Sequence, residues 1–241
     1  MWRRRSLTKG EHSTLKCSLG RADAVRCSGN GPHHDHRPYD GKGASASTVA
    51  RSGSMTLNAM PALEGTVVAV SADRKHNFSK CPQREIVLVA GHGVEGDAHA
   101  GPYVRHRYLA RKQPRLPNLR QVHLIPSELF EFLRTAGYDV SPGELGENIT
   151  TAGLDLERLP VGAILRLGQT AAVALTGLRT PCVLIDRYRA CLRREVIRPD
   201  KSGPPFRCGV LGVVTAGGTV SAGDPADVTL PDEPRRVLPS M

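Results

Sequence analysis

The chain has 241 residues, with 33 Lys/Arg against 23 Asp/Glu, a formal net charge of +10 and 39% hydrophobic residues. No run approaches the roughly 18 apolar residues that a membrane helix needs, so no membrane span is expected. The basic excess is uneven: residues 1–59 carry 10 Lys/Arg and 4 Asp/Glu, and the rest of the chain 23 against 19, a balance too modest to suggest a specific nucleic-acid binder, although local basic patches stay open.

Residues 1–59 are rich in Gly, Ser, Arg and His and hold no run that could build a core. They read as a disordered tail, or as translated upstream sequence ahead of a start at Met55 or Met60. The opening Met1-Trp-Arg-Arg-Arg5 has no apolar stretch and is not a secretory signal, and the acidic residues of this segment sit badly with a transit peptide. His33-His34-Asp35-His36 reads as a solvated run rather than a metal site. Six cysteines without a Cys-x-x-Cys pair or regular spacing argue against a disulfide framework or zinc ribbon, and point to a cytoplasmic protein.

From residue 60 the pattern becomes that of one folded domain, expected over 60–232, with a flexible, Pro-rich tail at 233–241. β-rich runs lie at Gly65–Ser71 and Glu85–Val89, separated by a polar turn containing Asn77, Lys80 and Pro82. Residues 97–119 hold many Arg, His and Pro without a period and predict a long loop, which in a compact domain is usually functional or disordered. Arg120–Ile125 alternates as a strand. A short helix follows, capped by Ser127, with Leu129, Phe130 and Leu133 on one face and Gly137 at its end. Glu147–Thr151 predicts a short strand. Ile164–Leu167 and Ala171–Leu175 flank Gly168-Gln169, a hairpin signal. Val183–Ile197 has Ile185, Tyr188, Leu192 and Val196 near one side and predicts a second helix, in which Cys191 is a packing residue. Gly209–Thr215 and Thr219–Ser221 surround a tight turn at Gly217-Gly218, and Asp227–Leu230 closes the domain. Many short strands, frequent Gly turns and two clear helices imply a mainly β barrel or sandwich.

Gly91-His-Gly-Val-Glu-Gly96 fits a dinucleotide-binding pattern after a strand, but Gly101-Pro102 interrupts the region and no Asp or Glu lies between Asp97 and Glu128, so that fold is rejected. His99, His106 and His123 with Asp97 have irregular spacing, which argues against a zinc set. Asp97, Glu144 and Glu147 each stand beside glycines, where carboxylates commonly bind turn N–H groups; general acid–base work is the alternative for each. The most informative segment is Leu175–Cys182. Thr180 is expected as the N-cap of the second helix, Pro181 as its first residue, and Cys182 in its first turn with Arg179 nearby, two features that favour a thiolate. A small buried hydrophobe at the start of a helix is an equally weighted reading of Cys182.

Gly93-Val-Glu-Gly-Asp-Ala-His-Ala-Gly101, Leu119-Arg-Gln-Val-His-Leu-Ile125, Pro142-Gly-Glu-Leu-Gly-Glu-Asn-Ile-Thr-Thr151, Leu159-Pro-Val-Gly162, Thr176-Gly-Leu-Arg-Thr-Pro-Cys182 and Gly223-Asp224 together resemble the MOSC domain. That domain forms the C-terminus of molybdenum cofactor sulfurases and also occurs as stand-alone bacterial proteins and in the mitochondrial amidoxime-reducing component. The resemblance implies a MOSC-type β-barrel with a few peripheral α-helices. It implies that Cys182 is the functional cysteine, ligating molybdenum held by a pterin in reductase-like relatives or handling sulfur in sulfurase-type ones. Arg179, Thr180, Asn148 and Arg120 are the implied cofactor-binding residues, together with Asp97 and His99. A small-molecule substrate and a separate electron-donor or sulfur-donor protein are the implied partners. Pyridoxal phosphate enters by family association only: the desulfurase half that carries it is absent, and no site for it is identified.

Overall fold

The computed structural model describes residues 63–105, 107–198 and 203–241. The expected tail at 1–59, its His33–His36 run and His106 lie outside the described residues. The chain runs β1 (Glu64–Ala72), β2 (Cys81–Gln83), β3 (Glu85–Val89), β4 (Gly93–Val94), α1 (Arg107–Lys112), β5 (Val122–Pro126), α2 (Glu128–Thr135), β6 (Ile149–Ala152), β7 (Ile164–Leu167), β8 (Ala171–Leu178), α3 (Val183–Tyr188), α4 (Leu192–Glu195), β9 (Val210–Ala216), β10 (Gly218–Ser221) and β11 (Pro225–Thr229).

Strands β11-β7-β8-β9-β5-β6-β1 follow one another around a sheet, and β1 pairs with β11, so seven strands close into a barrel with β2 added beside β1. The expected β-barrel is the observed one. Closure removes the free edges that an open sheet would present. Inward side chains fill the interior: Val67, Leu124, Ile149, Leu165, Leu167, Val173, Leu175, Val210 and Val214 are all essentially without exposure. Burying each such aliphatic side chain is worth about 1.5–3 kcal/mol. Among the described barrel pairs, β5 with β6 is the parallel one; such a pair needs a crossover, and α2 lies on it.

A second core lies outside the barrel wall. Leu129, Phe130 and Leu133 of α2 meet Ile185, Leu192, Val196 and Cys208 there. The apolar stripe read for residues 183–197 is therefore buried as expected, but the single helix is not formed. Cys191 takes a left-handed conformation (φ 64°) between α3 and α4. Asp186 holds the fold-back: its carboxylate accepts from the Arg193 backbone N–H at 2.9 Å and pairs with the Arg193 guanidinium at 3.1 Å. Two short helices thus turn the same residues inward.

Three other expectations change. The loop at 97–119 contains the short helix α1. Gly217-Gly218 is not a hairpin turn, because β9 belongs to the barrel while β10 pairs with β3 in a separate three-stranded sheet, β10-β3-β4. A side chain at Gly218 would collide with Thr170 and Ala171, so the glycine is needed where the chain passes from one sheet to the other. Residues 233–241, expected as a flexible tail, lie docked along the barrel. Val237 bridges to Pro160 and Ser240 to Leu178, and Leu238 is 4% exposed within the barrel core. Proline richness does not leave this segment free, because Leu238 supplies an anchor and the backbone supplies the pairing. Among the described residues no helix is long and apolar enough to cross a membrane.

Leu238→Ala tests the docked tail. A truncated buried leucine costs about 2–5 kcal/mol, so urea denaturation is expected to show a loss of that size. A change within about 0.5 kcal/mol, typical of an exposed site, would show that the segment does not contribute to the core.

Candidate functional site

One cavity of about 310 Å³ opens beside the barrel, with Cys182, Arg179, Thr180, Asn148, Arg120, His123, His99 and Lys80 in its wall. Most of the residues singled out in the sequence therefore converge, from β5, β6, the end of β8 and the loop after β4. Another hollow, of about 410 Å³, lies by Phe132, Glu157, Arg198 and Arg207 and holds no sulfur.

The floor is an ionic cluster around Asp97, whose side chain has no solvent exposure. Its Oδ2 accepts from Lys80 Nζ at 2.7 Å, Asn148 Nδ2 at 3.1 Å and the Asp73 backbone N–H at 3.3 Å. Its Oδ1 accepts from the His99 backbone N–H at 2.9 Å and lies 3.3 Å from His99 Nδ1. Burial alone would raise the Asp97 pKa; the hydrogen bonds from His99 and the charge of Lys80 outweigh it and hold the carboxyl well below the ordinary range. Asp97 thus lies beneath the cavity and orders residues that line it. Glu144 and Glu147 follow the turn-binding reading: Glu144 accepts from the Ser141 N–H at 2.8 Å, and the buried Glu147 accepts from the Gly143 N–H. Gly143 is required there, with φ 87° and the Lys80 carbonyl 2.6 Å from where a Cβ would stand.

His123 sits in the fully buried β5. Its Nε2 lies 2.9 Å from the Cys208 carbonyl and donates to it. Burial and the neighbouring Arg179 push its pKa down to about 3, so it is neutral at physiological pH.

The helix geometry around Cys182 differs from expectation. Thr180 is not a cap: its N–H donates to the Met241 carbonyl at 2.9 Å, extending the β8 pairing onto the chain's last residues. Cys182 itself occupies the N-cap position of α3 (φ −102°, ψ 167°), with no side-chain capping bond, and its carbonyl accepts from the Ile185 N–H at 3.1 Å. The backbone pairing with Met241 claimed Thr180 for the sheet. The positive neighbour of the sulfur is therefore Arg179, whose Nη2 lies 3.9 Å from Cys182 Sγ. Its Nη1 lies 3.3 Å from Sγ of Cys208. Cys208, for which the sequence offered no role, is fully buried, and burial pushes its thiol pKa up even against the pull of Arg179. The pairing of β8 with β9 explains its place: Leu178 faces Val210 and the Arg179 N–H donates to the Gly209 carbonyl at 3.0 Å, so Cys208 falls beside the same guanidinium. No local sequence signal marks it, and none marks Lys80, which lies in the segment read as a polar turn.

Arg120 stands across the cavity. It lines the same cavity as Arg179, and burial together with that neighbouring charge lowers its pKa. Among the described ion pairs neither is matched with a carboxylate. A cavity so lined favours an anion, since guanidinium forks match carboxylate and phosphate oxygens, and the half-buried Cys182 stands in its wall.

Two measurements check this electrostatic picture. Arg179→Gln removes the cation nearest Cys182, and alkylation of Cys182 by iodoacetamide in the metal-free protein is expected to slow by at least about tenfold; an unchanged rate would remove Arg179 from the account. His123→Gln keeps a donor toward Cys208 but cannot titrate. Because the folded pKa of His123 is lowered, the unfolded chain binds the extra proton first. Its contribution to stability is whole above about pH 6.5 and is lost as pH falls toward about 3. Denaturation at a series of pH values should show a slope of one proton over that window that is absent in the variant.

Comparison with known proteins agrees with the barrel. The MOSC domain family model matches residues 95–227. No curated protein matches the chain. Among solved structures, the YuaD protein of Bacillus subtilis is similar at 20% identity and a TM-score of 0.58, over 72% of this chain and 100% of that one. The YiiM protein of Escherichia coli is similar at 22% identity and a TM-score of 0.46, over 74% of each. At 20% identity the YuaD likeness speaks to the fold alone. The family match spans more than half of the chain, and the protein belongs to the MOSC domain family, which is associated with molybdenum cofactor binding.

Proposed function

We propose that the protein holds a molybdenum cofactor in the Cys182 cavity and reduces N-hydroxylated small molecules with electrons from a separate donor protein. The observation that carries this reading is the pair of guanidiniums, Arg120 and Arg179, without carboxylate partners among the described ion pairs, beside the half-buried Cys182. The donor set fits such a group: a soft sulfur suits a soft metal centre, and fixed cations suit a pterin phosphate. Bound there, the cofactor would supply two-electron redox chemistry. The protein's part is to bind and orient. Cys182 would ligate the metal, and Arg120, Arg179 and the Thr180 segment would hold the anionic part. Asn148, fixed by its bonds to Asp97 and to the Ser71 carbonyl, would shape the wall, and Asp97 and Lys80 would keep it rigid. Thr180 acts in this reading through its place on the cavity rim.

A second reading is favoured by Cys208. Two sulfurs on one guanidinium suit a site where Cys182 carries a persulfide from a sulfur-donor protein to a metal–sulfur centre, with Arg179 stabilising the terminal sulfur anion.

The test is the metal content of protein purified from a host that makes the cofactor. Molybdenum near one atom per chain is expected, falling at least tenfold in Cys182→Ala while the fold persists. Molybdenum at background in both, with an added mass of one sulfur atom on Cys182 after incubation with a desulfurase and cysteine, would transfer the assignment to the persulfide reading.

A further inference from the structure

Reduction of an N-hydroxylated substrate breaks one N–O bond. R–NH–OH takes up two electrons and two protons and becomes R–NH2 and water, so the cavity must supply a proton to the departing oxygen. The guanidiniums of Arg105, Arg120 and Arg179 in its wall do not release protons at physiological pH. Lys80 is bound to Asp97 at 2.7 Å with only 4% of its side chain exposed, and deprotonation would strand a buried carboxylate. His123 is neutral and its Nε2–H is committed to the Cys208 carbonyl. His99 remains. It lines the cavity, and its side chain is 37% exposed, so it can exchange protons with solvent. Its ring is held by Asp97 Oδ1 at 3.3 Å from Nδ1, and its backbone is pinned twice, by its own N–H to Asp97 and by its carbonyl accepting from Asn118 Nδ2 at 2.9 Å.

We propose that His99, oriented by Asp97, is the residue that protonates the departing oxygen of the substrate. This role rests on the reductase reading above. The ionised Asp97 keeps a proton on Nδ1, which leaves Nε2, on the far side of the ring, as the atom that gives and regains the transferred proton. When Nε2–H protonates the oxygen, the N–O bond breaks and water leaves. The two electrons come from the donor protein, the second proton reaches nitrogen from solvent, and the imidazole is reprotonated from solvent. Asp97 is a positioning residue here. Lys80 stands behind Asp97, and Arg105 and Arg120 share the cavity wall with His99. The His76 ring centre lies 5.0 Å from that of His99, with the two planes tilted by 58°.

The experiment uses the molybdenum-loaded protein with benzamidoxime and a chemical reductant, alongside the metal-free protein for spectroscopy. His99→Gln is expected to lower kcat by about 10²–10⁴-fold, with KM and molybdenum content within threefold of wild type. Added imidazole should restore turnover in His99→Ala but not in Cys182→Ala. In the metal-free protein, nitrogen NMR of labelled histidine should show His99 carrying its proton on Nδ1 when neutral, and Asp97→Asn should redistribute it. Wild-type turnover that His99→Gln leaves within threefold would overturn the role alone. Loaded wild-type protein that leaves the substrate unreduced would overturn the reductase reading and this role with it, and the NMR result would then say whether the Asp97–His99 arrangement exists without that chemistry. A neutral His99 with its proton on Nε2 would overturn the positioning by Asp97.

Discussion

Asp97 is an ionised carboxyl with no solvent around it, and its charge has to be answered by the protein itself. The answers come from separate parts of the chain: Lys80 before β2, Asn148 before β6, and the backbone of Asp73 and His99. Leaving such a charge without partners would cost several kcal/mol, so these segments are obliged to meet. Their meeting place is the floor of the cavity, and what stands above it follows. Asn148 is fixed further by donating to the Ser71 carbonyl, and its Oδ1 accepts from the His123 N–H at 3.2 Å. One buried charge thus sets the positions of His99, Asn148 and, through Asn148, the strand carrying His123.

The other half of the site depends on the pairing of β8 with β9. That pairing brings Arg179 beside Gly209 and Cys208, and it holds one guanidinium between two sulfurs. Gly209 is part of the arrangement, since its φ of 76° and the adjacent Leu124 carbonyl leave no room for a side chain. The two halves differ in character. Around Asp97 opposite charges cancel within the protein. Around Arg179 and Arg120 they do not, so net positive charge is left facing the cavity.

How much of this was legible follows the range of the forces involved. β3 was legible as a run of β-branched and apolar residues, and the hydrophobic face of α2 from its spacing, because composition and burial on one side act locally. The hairpin at Gly168 was visible because its turn is local. The break at Cys191 was not: the apolar stripe through Ile185, Leu192 and Val196 survives it, so the burial pattern carries no sign of the left-handed residue or of the Asp186–Arg193 contact that spans it. The convergence of Asp97, Asn148, Arg120, Arg179 and Cys182 was available only through motif resemblance, since up to 85 residues separate them. Lys80 and Cys208 carry no motif, and they join the site through pairings that bring distant stretches together. Thr180 was misjudged for a related reason, because the segment that claims its backbone lies about sixty residues downstream.

That last contact bears on how the protein is handled at the bench. The Met241 carbonyl accepts from the Thr180 N–H, and its own N–H donates to the Leu178 carbonyl, one residue on either side of Arg179. The Met241 side chain lies over Gly177, where a Cβ would meet the Pro239 carbonyl at 2.7 Å. An affinity tag or fusion partner joined after Met241 would emerge within a few residues of the cysteine under study, and its pull or bulk would act on the guanidinium beside that sulfur.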